Sequence, residues 1–336
     1  MKTIVHTCSS ILVRPNGIVR YINAVIDLQR SMGNKVIFVT DAKPKEKINA
    51  DQILYYNDIS TYVPNMQDGH VWLQIDNKIC DYIQYALTKL SQEPDLVVAH
   101  DLHSYMAVAS KFKDGIFVQH ETDVLTPDFR YSYISDEYLE AQTRIVNSTE
   151  WRVGLTVDSN SIKPKRPVYT PVPFAPVEDP NQFRTRDLLY IGDSTDRKGA
   201  KEFMDMARKL NVKPTIITHD PGAEIFADLN SEVYNFGLKD RDAMYKLMSE
   251  CSVAYLPSKN ECPGLVVLEC LQFMPVVVDS QYTWTKYLKN TGVVCTTGDA
   301  IQYAIEHLLE SNGNDQRNLL DIWSQHSQQY WRNLSI

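Results

Sequence analysis

The sequence predicts an α/β protein made of two parallel-sheet domains. Apolar runs of strand length alternate with stretches of helical spacing through the first half. The same alternation restarts after a proline-rich stretch. A chain of 336 residues is long enough for two domains of ordinary size. Strand, helix, strand in this rhythm means parallel strands joined by crossover helices.

The first half begins with KTIVHT (2–7), a short strand, followed by a loop at Pro15-Asn16-Gly17. IVRYINAVIDLQRSMG (18–33) spaces its apolar residues as a helix and stops at Gly33. KVIFVTD (35–41) and HVWLQI (70–75) are strands, KICDYIQYALTKLSQ (78–92) a helix, and DLVVAHD (95–101) a strand. HSYMAVASKF (103–112) is helical and GIFVQHE (115–121) is a strand. Six of the sixteen prolines fall between Lys163 and Pro180, which marks the interdomain connection. The expected boundaries are 1–172, 173–320 and a closing helix over 321–336 that packs back on the first domain.

In the second half DLLYIGD (187–193), PTIITHD (214–220), SEVYNFG (231–237), SVAYLPS (252–258) and MPVVVDS (274–280) are strands. Between them lie the helices KGAKEFMDMARKLN (198–211), DRDAMYKLMSEC (240–251) and GLVVLECLQF (264–273). DAIQYAIEHLLESN (299–312) and DIWSQHSQQYWRNL (321–334) close the chain as helices. Open parallel sheets bind ligands at the C-terminal ends of their strands, so candidate residues are sought there. Neither GxGxxG nor GxxxxGK[ST] occurs, which removes the usual support for nicotinamide and P-loop chemistry.

Bulk properties narrow the classes. The six cysteines (8, 80, 251, 262, 270, 295) form no CxxC and no metal spacing, as expected of reduced cytoplasmic thiols. MKTIVHTCSSILV lacks a signal-peptide apolar core, and the apolar run from Gly264 to Val278 is broken by Glu269, Gln272 and Pro275. A soluble cytoplasmic protein, monomer or weak dimer, is the expectation. The net charge of −8 argues against wholesale attraction to nucleic acid.

One motif carries more chemistry than the rest: SKNECPGLVVLEC, 258–270, with Glu261 and Glu269 on either side of Pro263-Gly264. Eight helical residues turn through about 800°, which would leave the two acids roughly 80° apart and not a tidy same-face pair. The geometry improves if Glu261 sits on a loop and Pro263 opens the helix, where its missing N–H costs nothing. Both acids then flank a helix N-terminus, a natural place for an anion.

The ordered landmarks DLLYIGDSTDRKG, VYNFG, VAYLPSKNECPGLVVLEC and MPVVV resemble the C-terminal domain of retaining GT-B glycosyltransferases, especially glycosyltransferase family 4. The resemblance covers 186–280. It implies the GT-B fold, two Rossmann-like parallel-sheet domains with a central cleft, and a nucleotide sugar, by family habit a uridine diphosphate sugar, as co-substrate. It implies that Glu269 binds the ribose hydroxyls and Glu261 the donor sugar. Lys198 would neutralise the leaving diphosphate, with Gly192 at the preceding strand end and backbone N–H groups at Gly264 and Leu265. No metal and no tightly bound cofactor are required by the motif. This sequence has Asp193 where the family usually has Arg, so Arg197 is the candidate to supply the guanidinium. In the first half, NGIVRYINAVIDLQRSMG resembles the family's glycine-rich loop and helix, which brings in Gly17. DLVVAHDLHS and FVQHETD resemble its two His-bearing strand ends, and place His120 near the donor sugar.

FVQHETDVL and YIGDSTDRKG also resemble segments of the DNA α-glucosyltransferases of T-even phages. That likeness implies 5-hydroxymethylcytosine in duplex DNA as acceptor, and base flipping or groove access to reach it. The first 172 residues carry about −2 and the rest about −6. Lys111, Lys113, Lys163, Lys165 and Arg166 are the basic candidates for phosphate contact. Other expectations stay open. The acceptor could be an envelope or capsule glycan, or the chain a catalytically silent nucleotide-sugar-binding protein. Glu261 and Glu269 could be solvated acids and Lys198 a surface lysine. His100 and His103 mimic a metal pair, but without a third ligand a structural role fits better.

Overall fold

The computed structural model describes residues 1–10, 17–57, 75–120, 135–155, 162–171, 173, 184–235, 241–259, 261, 264–282, 285, 288, 293–311 and 317–334. The chain forms two compact units, Met1–Phe174 with Ser327–Ile336, and Ala175–His326.

The first unit is built on a seven-stranded sheet. Its strands are β1 (Thr3–Thr7), β2 (Lys35–Ala42), β3 (Gln52–Asn57), β4 (Leu96–Ala99), β5 (Ile116–Gln119), β6 (Arg152–Leu155) and β7 (Pro167–Tyr169). They lie in the order β3-β2-β1-β4-β5-β6-β7, every pair parallel. The order runs outward from β1 in both directions, so Ile4 faces Val36 on one side and Leu96 on the other. The gap between the ends of β1 and β4 is the topological switch point, where doubly wound sheets bind ligands.

The second unit repeats the plan with six strands: β8 (Arg186–Ile191), β9 (Pro214–Ile217), β10 (Glu232–Tyr234), β11 (Cys251–Tyr255), β12 (Val276–Asp279) and β13 (Val294–Thr296). Their order is β10-β9-β8-β11-β12-β13, again all parallel. Its switch point lies between β8 and β11.

Each helix has a local reason. In the first unit, α1 (Gly17–Ser31) buries Val19, Ile22, Val25 and Ile26 on one face and ends before Gly33, whose φ of +79° suits glycine. Asp76 caps α2 (Asn77–Leu87) and Asp101 caps α3 (Leu102–Ala109), each through its side-chain oxygen. Ser135 caps α4 (Asp136–Ser148), whose first turn carries Asp136 and Glu137. In the second unit, α5 (Ala200–Leu210) packs Phe203, Met204 and Ala207 on Leu188, Tyr190 and Val253. α6 (Arg241–Ser249), the short α7 (Leu265–Cys270) and α8 (Asp299–Ser311) follow. The last helix, α9 (Arg317–Leu334), runs on into the first unit from Ser327. There Trp331 is fully buried, donates its indole N–H to the Pro171 carbonyl at 2.8 Å and packs edge-on against Tyr21.

The sequence reading omits five elements: β3, α4, β6, β7 and β13. β7 and β13 have three residues each and end their sheets, and β3 is a half-exposed edge, so none shows a long apolar run. β7 also lies inside the stretch expected to be a plain connection; its one proline, Pro167, sits on an edge strand, where a missing N–H is tolerated. HVWLQI lies outside the described residues apart from Ile75. Among the described residues, no helix is long and apolar enough to cross a membrane.

Candidate active site

In the second unit, the loop after β8 and the loop after β11 leave on either side of the switch point. Gly192 directly follows β8 and gives its N–H to the Ile217 carbonyl at 3.0 Å. A 3-10 turn over Asp196–Lys198 follows, and Gly199 adopts φ +71° before α5 begins. A Cβ on Gly199 would run into the Pro257 carbonyl, whose carbon lies 2.9 Å away. Only glycine lets the two loops approach this closely. Lys259 then donates its N–H to the Arg197 carbonyl at 2.8 Å, which fixes the register between the loops.

That register brings Lys198 and Glu261 together. The Lys198 ammonium is ion-paired with Glu261 Oε1, and both side chains are largely covered, at 15% and 17% exposure. The supporting contacts are polar. The Tyr190 hydroxyl reaches up from β8 to the Asp193 carbonyl at 2.7 Å. Burial, with Asp193 and Glu261 nearby, pushes the Tyr190 phenol well above its ordinary range, so it stays a neutral donor. Asp220, after β9, accepts from the Ser194 N–H at 3.0 Å and from the hydroxyls of Ser194 and Thr218. Burial alone would raise its pKa, but those hydrogen bonds outweigh it and hold the carboxyl below the usual range. Asp193 accepts from the Thr195 N–H and lies 3.6 Å from the Arg197 guanidinium. Lys259 is paired with Asp196 and, at 3.0 Å, with Glu202.

Glu261 is on a loop and Glu269 is in the second turn of α7, buried to 3% exposure. Gly264 precedes the helix and Leu265 opens it; Pro263 lies outside the described residues.

Gly17 and His120 belong to the first unit. Gly17 is the exposed first residue of α1; the loop before it lies outside the described residues. His120 follows β5 directly and is 5% exposed. Its Nε2 lies 3.0 Å from His100 Nδ1, His100 Nε2 lies 2.8 Å from His6 Nδ1, and His6 Nε2 lies 2.7 Å from the Gln29 amide oxygen. Tyr21 packs edge-on against His120 with ring centroids 4.8 Å apart and donates its hydroxyl to the Thr170 carbonyl. His103 stands apart from this chain: its Nε2 accepts the Asp76 N–H at 3.1 Å, a structural contact. Among the described residues, no group of three or more His, Cys, Asp or Glu could hold a metal ion.

The sequence reading did not single out His6, Gln29, Asp220 or Lys259. A signal exists for His6 and His100, since both are histidines at the C-terminal ends of predicted strands. None exists for Gln29, one polar residue in an amphipathic helix. Lys165 pairs with Glu150 at 2.5 Å and Arg166 with Asp114 at 3.2 Å, so these two basic candidates for DNA contact are engaged within the fold.

Two all-parallel α/β units of this order define a class, the doubly wound α/β folds. Comparison with solved structures narrows it to the GT-B glycosyltransferase fold. The chain is similar to the sucrose-phosphate synthase of Thermosynechococcus elongatus at 15% identity, covering 99% of this chain and 95% of that one, with a TM-score of 0.67. It is similar to Anabaena HepE, solved with UDP and glucose, at 14% identity, covering both chains fully, with a TM-score of 0.66. It is similar to a variant of S. aureus TarM, solved with UDP and other ligands, at 11% identity, covering both chains fully, with a TM-score of 0.68. At such identities the likeness is one of fold. No protein-family model matches the chain, and no curated protein matches its sequence.

Proposed function

We propose that the chain is a retaining glycosyltransferase that uses a nucleotide sugar, a uridine diphosphate sugar by the likeness of its motifs. The observation that carries this is the Lys198–Glu261 pair at the switch point between β8 and β11. The cation and the carboxylate have complementary uses in a ligand that joins a diphosphate to a polyol. The solved neighbours HepE and TarM, both with UDP bound, support the donor class.

In this reading the diphosphate takes Lys198 from Glu261, and Glu261 turns to the donor sugar's hydroxyls. Glu269 holds the ribose diol. Backbone N–H groups at Gly264 and Leu265, with Pro263 before them, and Arg197 complete the anion site; Gly192 and Gly17 are backbone positions close to the donor. The anomeric C–O bond breaks with its electron pair leaving on the diphosphate. The acceptor hydroxyl bonds to the same face of that carbon, and its proton passes to a leaving phosphate oxygen. Fixed positive charge at Lys198 stabilises the departing diphosphate, which is the difficult part of the step. His120 contacts a hydroxyl of the donor sugar. No metal has a part in this scheme.

For the acceptor we propose 5-hydroxymethylcytosine in duplex DNA, supported by the segments 117–125 and 190–199; a glycan hydroxyl is the competing acceptor. The deciding experiment mixes purified protein with uridine diphosphate hexoses and pentoses and with duplex DNA, hydroxymethylated or plain. Mass spectrometry of the digested nucleosides reads the result. A sugar mass on the modified base alone supports the DNA acceptor. Nucleoside diphosphate release without a DNA product keeps the transferase and moves the acceptor to glycans. Donor binding without turnover would make the chain a silent binding protein.

A further inference from the structure

We infer that Gln29, His6 and His100 are positioning residues that fix the proton arrangement of His120, so that its Nδ1 is a bare hydrogen-bond acceptor for a ligand hydroxyl. The hydroxyl's assignment to the donor sugar rests on the function proposed above; the proton arrangement does not.

The chain of contacts determines the assignment. Three imidazoles and one amide are linked through 2.7, 2.8 and 3.0 Å contacts. His6 and His100 have no exposed surface, and His120 has 5%. Burial pushes His6 down to about 4 and His120 down to about 3. It also drives His100 well below the ordinary range, with His6 and His120 adding to the shift. All three rings are therefore neutral near pH 7, and a neutral imidazole carries one N–H. Each ring-to-ring contact needs one donor and one acceptor. The Gln29 oxygen can only accept, so His6 Nε2 carries its proton and His6 Nδ1 is bare. His100 must then donate from Nε2, and His120 in turn donates from Nε2 to His100 Nδ1. That leaves His120 Nδ1 without a proton and with no partner among the described residues.

The chain of rings could conduct a proton or align dipoles, and its far end decides which. A proton-conducting wire needs a base at its far end. An amide oxygen is not a useful base, so a proton entering at His120 has nowhere to go beyond His6. The chain aligns dipoles head to tail instead, which strengthens the last lone pair as an acceptor. The ring plane is held as well: Tyr21 packs edge-on against His120, and Trp331 packs edge-on against Tyr21. A lone pair attracts a neutral hydroxyl and repels phosphate or carboxylate. His120 is thereby suited to the sugar end of a nucleotide sugar and not to its diphosphate.

The test is 15N spectroscopy of protein labelled at histidine, on wild type and Gln29→Met, with UDP-glucose and UDP-xylose as probes. In wild type without a probe, His6, His100 and His120 should each show a protonated Nε2 and a bare Nδ1. A protonated Nδ1 on His120 overturns the inference, and this readout needs neither a variant nor a donor. In Gln29→Met, checked for folding by circular dichroism, the single arrangement should give way to a mixture; an unchanged spectrum overturns Gln29 as its source. For whichever probe the wild type hydrolyses, Gln29→Met should raise KM about five- to tenfold with kcat nearly unchanged, the size of one lost hydrogen bond. An unchanged KM overturns the hydroxyl contact. If wild type binds neither probe, those two donors are excluded, and the ring spectra still decide the proton arrangement.

Discussion

Three glycines of the second unit separate two costs that usually come together. Gly222 has open space around its Cα and no left-handed backbone, so Gly222→Ala should be neutral or stabilising by about 0.5 kcal/mol through the unfolded chain. Gly298 has φ +60° and also has open space, so Gly298→Ala pays only for the left-handed conformation, about 1–2 kcal/mol. Gly199 has φ +71° and the Pro257 carbonyl where a Cβ would go. Gly199→Ala should therefore add an overpacking cost of about 1–3 kcal/mol, for a total of about 2–5 kcal/mol. Backbone atoms on both sides leave little room for relief. Urea titration of the three variants, followed through the unfolding of this unit, gives the differences directly. If Gly199→Ala costs no more than Gly298→Ala, the two loops are not locked at Pro257. The register that joins Lys198 to Glu261 would then need another cause. The same variant should lower donor hydrolysis, since the lysine precedes the displaced residue.

Other outcomes follow from the same structure. The folded-state pKa values of His6 and His120 lie below 6.5, so the unfolded chain binds more protons as pH falls. Their stability is fully present above pH 6.5 and is lost as pH falls through the window down to about 4 and about 3; between pH 7 and 5 each should cost about 2 kcal/mol. Histidine C2–H exchange gives the individual titrations, and an ordinary pKa for either ring would refute this. Lys198→Ala should reduce donor hydrolysis by about 100-fold or more. Both partners are largely covered, so removing the cation leaves the Glu261 carboxylate without it and should also cost about 1–3 kcal/mol of stability; a loss of stability with donor hydrolysis retained would assign the lysine a structural role. Trp331→Ala should destabilise the first unit by about 3–5 kcal/mol, measured by the urea midpoint of that unit. A shift in the second unit's midpoint alone would contradict the place of that indole.

The strands that read clearly were the central ones. KTIVHT, DLVVAHD, DLLYIGD and SVAYLPS became β1, β4, β8 and β11, which flank the two switch points. Each has a buried apolar centre, Ile4-Val5 in β1, Leu96–Ala99 in β4, Leu188–Tyr190 in β8 and Val253–Tyr255 in β11, and that short run is what the sequence shows. β7, with Pro167 in it, and β13 take their strand state from a neighbour, which composition does not record. The site is legible in the same uneven way. Lys198 and Glu261 stand out as motif residues, yet they are 63 positions apart and nothing in the spacing announces their ion pair. His6 and His100 are 94 positions apart, and their contact follows from the pairing of β1 with β4. Gln29 could be found only after the sheet had placed His6 above it.

The last helix gives synthesis an order that the domain plan alone does not. Residues 175–326 form one continuous stretch, whereas the first unit is discontinuous and is finished by Ser327–Ile336. Pro171 leaves the ribosome 160 residues ahead of Trp331, the indole whose N–H its carbonyl will accept. The unit that begins first is completed last, and until then the Tyr21 ring beside His120 lacks its backing. Release of the chain between residue 326 and Trp331 would therefore leave the second unit whole and the histidine chain without that support.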